Sequence, residues 1–130
     1  MSSIVILGRV EPDPASTDLI LASTDTQPGS LVARREDEYV VLTTTSGPMA
    51  ITLRLRADEL ARTLRHPAAS SEQATARQVG SSQAYLAIGR REDGDILLRP
   101  TLVADATGQL SFNLLVTANV CEDLFRWLQV

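Results

Sequence analysis

Leu31-Val32-Ala33-Arg34-Arg35-Glu36-Asp37-Glu38-Tyr39-Val40-Val41-Leu42 is the stretch whose reading decides the fold. Apolar residues stand on both sides of a charged centre, the pattern of two strands joined by a hairpin turn. The charged centre returns as Arg90-Arg91-Glu92-Asp93, again between apolar runs. Downstream, Asp58-Glu59-Leu60-Ala61-Arg62-Thr63-Leu64 is echoed by Glu122-Asp123-Leu124-Phe125-Arg126-Trp127-Leu128. Chance recurrence in a chain rich in Arg and acids is the plain alternative. The same order of turn, strand, turn, strand and acidic-start helix in both places favours an internal duplication.

Outward from that hairpin the elements follow one another. Ile4 to Val10 is apolar on both faces, which places it centrally in a sheet. Leu19-Ile20-Leu21 makes a short second strand. Beyond Ser46-Gly47-Pro48, Ile51, Leu53 and Leu55 alternate with Thr52, Arg54 and Arg56, a half-buried strand. A helix starts at Ala57, with Asp58 and Glu59 at its positive end and Leu60 and Leu64 on its buried side, and Pro67 stops it. Residues 68–79 form a polar linker, with a weak helix over 71–78 as the other reading. In the second half Ala84, Leu86 and Ile88 face one way, and Asp93-Gly94 marks a hairpin. Pro100 implies an edge or a bulge in the strand from Ile96 to Ala104, and Leu110 to Thr117 forms another strand. Asn119 is the expected N-cap of the last helix, with Glu122 completing a capping box. The predicted architecture is α+β in one domain, 1–130. Two antiparallel meanders, each closed by a helix, put two sheets around one core, with pseudo-repeat halves 1–67 and 80–130.

A four-stranded meander followed by a helix, given twice, resembles the Whirly family of single-strand nucleic-acid-binding proteins in its order of elements. That resemblance spans most of the chain and implies a nucleic-acid-binding function. The second half offers three clear strands where the family pattern has four. The Lys-rich surface motif of plant Whirly proteins is not in this sequence, so no functional residue is carried over.

Composition narrows the function classes. An apolar share of 44% and a charged share of 22% are ordinary for a globular domain. The net charge of −4 disfavours indiscriminate binding to nucleic acid or anionic lipid. All 12 basic residues are Arg, which a GC-rich genome or a need for planar bidentate donors would each produce. Apolar runs such as Ile4-Val5-Ile6-Leu7 are too short to span a bilayer, so no membrane partner is expected. No secretory segment is read at the N-terminus, and a lone Cys121 forms no internal disulfide, so the expected location is cytoplasmic.

The candidate nucleic-acid or anion-binding set is Arg54, Arg56, Arg62 and Arg65 with Tyr39 and Tyr85 for base stacking. The alternative is a solvated Arg face paired locally with Glu36, Asp37, Glu92 and Asp93. Phe125 and Trp127 are the candidate interface residues, since large aromatics dominate interfaces, or else they fill the core. Cys121 near a helix start and the single His66 are isolated nucleophile and base candidates, and they lack the further ligands a zinc site needs. The acids of residues 36–38 and 92–95 lie in turns, where carboxylates are solvated. No catalytic residue, metal or cofactor is therefore expected. The leading reading is a non-catalytic binding or protein-interaction module that self-associates through sheet edges or the last helix. A single-strand nucleic-acid binder comes second, and an enzyme with dispersed residues third.

Overall fold

The structure is a computed structural model that describes residues 4–12, 17–24, 26–65, 68–69, 77–91, 93–104 and 108–129. Its first half is a meander of five strands, β1 (Ile4–Pro12), β2 (Leu19–Ser23), β3 (Gly29–Glu36), β4 (Tyr39–Ser46) and β5 (Met49–Arg56), each antiparallel to the next. The period-two pattern decides which face is covered. Val40, Leu42, Thr44 and Ser46 of β4 and Ile51, Leu53 and Leu55 of β5 point inward, while Thr52, Arg54 and Arg56 point out. Asp37 turns the repeated charged segment at φ 55, a conformation that Asp tolerates, and Gly47 does the same for the next hairpin at φ 60.

Helix α1 (Ala57–Arg65) follows β5 without a break. The second half adds β6 (Ala68–Ala69), β7 (Arg77–Gly80), β8 (Ala84–Arg90), β9 (Ile96–Ala104), β10 (Gly108–Ser111), β11 (Asn113–Val116) and α2 (Ala118–Leu128). The expected linker thus carries two strands, both paired with β8. Arg77–Gly80 is extended rather than helical because Val79, alone apolar between polar neighbours, buries itself opposite Leu86. The rest of that linker, His66 and Glu92 lie outside the described residues. With β7 in place, four successive strand positions precede α2, one more than the sequence offered. Pro100 falls where β9 exchanges its partner β11 for β10, a break in the ladder that tolerates a missing donor.

The two sheets expected from the two meanders are one hydrogen-bonded ladder, in the order β5-β4-β3-β2-β1-β11-β9-β8-β6. The cause is a parallel pairing of β1 with β11, Ile4 opposite Asn113 through Leu7 opposite Val116, which welds the halves together. The ladder curls until its edges β5 and β7 approach each other, so the sheet is nearly closed. Gly80 stands at that seam, where a Cβ would lie 2.6 Å from the Ala84 carbonyl and 3.1 Å from a Leu55 methyl. The architecture is α+β, with strand predominating.

Both helices pack into the inside of the curl. Helix α1 lies on β5 and β7, α2 on β1 and β2, and the helices on each other. Leu60, Ala61 and Leu64 of α1 and Val120, Leu124 and Leu128 of α2 join Leu7, Leu21, Leu31, Leu42, Leu53 and Leu114 in one apolar cluster. Each fully buried Leu contributes about 1.5–3 kcal/mol of transfer free energy. The start of α2 differs from the expected capping box. Thr117 is the N-cap and makes no side-chain cap bond, and the Ala118 amide donates to Asp95 Oδ1 at 3.2 Å. An acid from the β8–β9 loop replaces the local cap because Asn119 is already inside the helix. At the other end Arg35 Nη1 donates to the Leu128 carbonyl at 2.9 Å, placing a cation at the negative end of α2.

Candidate functional site

Two groups of arginines differ in their surroundings. The first lies on the outer face of β3 to β5. Register places Val41 opposite both Arg34 and Arg54, and Tyr39 opposite Arg56. The Arg54 guanidinium stacks 3.9 Å from the Tyr39 ring centroid, and that of Arg56 sits at 5.8 Å. Each cation of this face is tied to an acid: Arg54 to Glu36 at 3.5 Å, Arg56 to Asp58 at 3.4 Å and Arg34 to Asp18 at 3.3 Å. The hydrogen bond and charge of Asp58 raise the Arg56 pKa above its usual value. Desolvation pulls the Asp58 carboxyl upward, yet the Glu59 amide and Arg56 together hold it below the usual carboxylate range. A phosphate landing here would have to displace carboxylates already in place. Tyr85 is half-buried on β8 opposite Thr101, and among the described residues its ring meets no guanidinium. The proposed six-residue set is therefore split between β4–β5, α1 and β8.

The second population comprises Arg62, Arg65, Arg90 and Arg91, none of which makes an ion pair among the described residues. Arg65 and Arg90 line an open cleft of about 450 Å³, together with Leu64, Gly94, Ile96, Ala118, Cys121, Glu122 and Phe125. One wall is the C-terminal end of α1, another is α2, and the third is the hairpin carrying the second charged repeat. This size lies within the range of about 300–1,000 Å³ usual for small-molecule sites. Leu64, Ile96 and Cys121 are buried against the core, so the floor is apolar while the rim is charged. The Arg65 guanidinium hangs 5.6 Å from the Phe125 ring centroid. Burial pushes the Cys121 thiol up to about 11, reinforced by the charge of Glu122 and only partly opposed by Arg90. A thiol so held is protonated at neutral pH and is no nucleophile.

Phe125 and Trp127 are half-buried and pack against the core. Trp127 Nε1 donates to the Thr17 carbonyl at 3.0 Å, which anchors α2 to the β1–β2 connection. Among the lining residues, Arg90 and Glu122 stand outside the six-residue candidate set. The signal for Arg90 was its place in the repeated charged turn; nothing in the sequence revealed that α1 and α2 would converge there. Among the described residues no group of three or more His, Cys, Asp or Glu is arranged to hold a metal, and no helix is long and apolar enough to cross a membrane.

Comparison of the chain with protein-family models, with curated proteins and with solved structures finds no match.

Proposed function

We propose that the chain is a small non-catalytic binding module whose ligand seats in the cleft between α1, α2 and the β8–β9 hairpin. The observation that carries this reading is a contrast between arginines: the outer-face set is neutralised by Asp18, Glu36 and Asp58, while Arg65 and Arg90 face a cleft with no carboxylate among the described residues bonded to either. Internal duplication is part of the reading. The first repeat runs from β2 to α1 and the second from β7 to α2, with Arg34–Asp37 and Arg90–Asp93 at corresponding turns. On this view the curled ladder is two four-stranded sheets fused through β1, and the cleft opens where elements of both repeats meet. The test is protein-observed NMR with a fragment library on the wild type and on Ala118→Trp, which places an indole in the cleft from an exposed helix position. Expected are shifts clustered on Leu64, Arg65, Ile96 and Phe125 that the Trp variant abolishes. Fragments that bind both proteins alike, or map elsewhere, would refute the cleft as the site. Light scattering on the same samples counts subunits and tests self-association, which together with a protein partner remains the proposal for what the module assembles with.

A second reading has its own support. Tyr39, Arg54 and Arg56 do share one outer face, an aromatic with cations stacked over it, and the order of elements resembles the Whirly family. It requires single-strand binding that weakens as salt rises and is lost in Arg54→Glu/Arg56→Glu. Fluorescence anisotropy with labelled single-stranded and duplex oligonucleotides tests it. No binding in low salt, or binding untouched by the double change, would eliminate that surface.

A further inference from the structure

We infer that the ligand of this cleft is an amphipathic monoanion, an oxyanion head on an aliphatic body. The inference rests on the cleft being the binding site and adds the chemistry of its occupant. Three observations converge on it. First, Arg65 on α1 and Arg90 at the end of β8 line the same opening from different elements, and neither is engaged by a carboxylate among the described residues. Guanidinium stays charged at any physiological pH and presents a planar fork that matches carboxylate and phosphate oxygens. Two like charges facing one space also repel each other, and a bound anion converts that repulsion into attraction.

Second, the surfaces between those cations are apolar. Leu64 and Ile96 are almost fully buried, and Phe125 presents its ring beneath Arg65. Leu64 and Ile96 offer only their margins, so the apolar surface that an alkyl body would cover, at about 25 cal/mol per Å², is chiefly that of the half-buried Phe125, which a bare inorganic anion would leave wet. At about 450 Å³ the cleft has room for more than an oxyanion alone.

Third, the remaining titratable lining sets the charge of the ligand. Among the described residues that line the cleft, Glu122 is the carboxylate and Cys121 is a neutral thiol, while Asp95 stands beside the lining with its Oδ1 on the Ala118 amide. The lining side chains thus carry two cations against one anion, with the Asp95 carboxylate engaged at the start of α2, so a single negative head suits the cleft better than a doubly charged one. In a chain of net charge −4 this is a local reversal of sign, and it favours entry of an anion there over the rest of the surface.

The experiment is isothermal titration calorimetry of the full chain with octanoate, octyl sulfate, 1-octanol and inorganic phosphate. The two octyl monoanions distinguish a carboxylate head from a tetrahedral sulfate head. Expected is binding of at least one octyl anion, about tenfold or more tighter than 1-octanol, with inorganic phosphate weaker still. Arg65→Gln and Arg90→Gln should each weaken that anion about tenfold and leave 1-octanol unchanged. Glu122→Gln should tighten it about two- to threefold by removing a like charge. Equal binding of 1-octanol and the anions, blocked by Ala118→Trp, would overturn the anion requirement while leaving the cleft as the site. Anion binding that Ala118→Trp does not affect would overturn both, and absence of binding by all four probes would overturn the inference. Circular dichroism of each variant establishes that it is folded.

Discussion

Replacing Arg35 with Met isolates the tie between the first charged hairpin and the last helix. Met keeps most of the aliphatic stem and removes the guanidinium. Two bonds disappear: Nη1 to the Leu128 carbonyl at 2.9 Å and Nε to the Asp37 carbonyl at 2.8 Å. The first is charge-assisted, partly buried, and lies at the negative end of α2, so it is worth about 1.5 kcal/mol. The second is local and exposed, and adds about 0.5 kcal/mol. The expected loss is about 2 kcal/mol. Unfolding entropy of roughly 2.1 cal/mol/K per residue over this chain gives about 0.27 kcal/mol per degree, hence a Tm lowered by about 7 °C. Arg91→Met is the matched comparison. It occupies the corresponding position of the second Arg-Arg-Glu-Asp segment, is exposed, and makes no side-chain bond among the described residues, so its effect stays within about 0.5 kcal/mol, or about 2 °C. Thermal melts followed by circular dichroism separate the two. Equal shifts for the two variants, or a shift of less than about 2 °C for Arg35→Met, would refute the assignment of Arg35 as a clamp on α2.

Two further outcomes follow from local geometry. Gly80→Ala combines φ +124 with a clash at the Ala84 carbonyl and is expected to cost about 3 kcal/mol or more, whereas Gly47→Ala, at φ +60 in open space, costs about 1 kcal/mol; urea midpoints read the difference. Cys121 holds its proton more tightly folded than unfolded, so the folded state binds more protons between the unfolded thiol value of about 8.5 and the folded value of about 11; stability is complete below that window and falls as pH rises through it. Denaturation midpoints measured from pH 8 to 11 in the wild type and in Cys121→Ala check the sign: the decline should be shallower in Cys121→Ala, and a wild type that gained stability over that range would contradict it.

Legibility in the sequence followed the range of the interactions. The strand from Ile51 to Leu55 and the helix from Ala57 were readable because alternation, charge placement and Pro67 all act within a few residues. The central position of Ile4 to Val10 was readable because both faces are apolar. What escaped was non-local. The pairing of Ile4–Leu7 with Asn113–Val116 has no local signature, so the ladder looked like two sheets. Residues 77–80 have only Val79 to suggest a strand, and they are extended because β8 offers them a partner. Asp95 replaced Asn119 at the start of α2 because a loop distant in sequence brought a carboxylate to the free amide. The candidate arginines were identifiable by type, but which of them kept a free guanidinium depended on acids placed by register. Glu36 lies beside Arg54 because β3, β4 and β5 align as they do, and Arg90 has no such ion pair among the described residues.

The β1–β11 weld also sets a timetable. Its partners lie roughly 110 residues apart, so loop closure over nearly the whole chain precedes the contact, and folding is expected to be slow for a domain of this size. On a ribosome adding about 5–20 residues per second, β1 waits several seconds or more for β11 to be synthesised. Throughout that interval the backbone of Ile4 to Leu7 that later faces β11 is an open strand edge, free to pair with whatever extended chain passes by. β1, made before its partner, is among the last strands of this ladder to be completed, and the yield of folded protein depends on what shields that edge in the meantime.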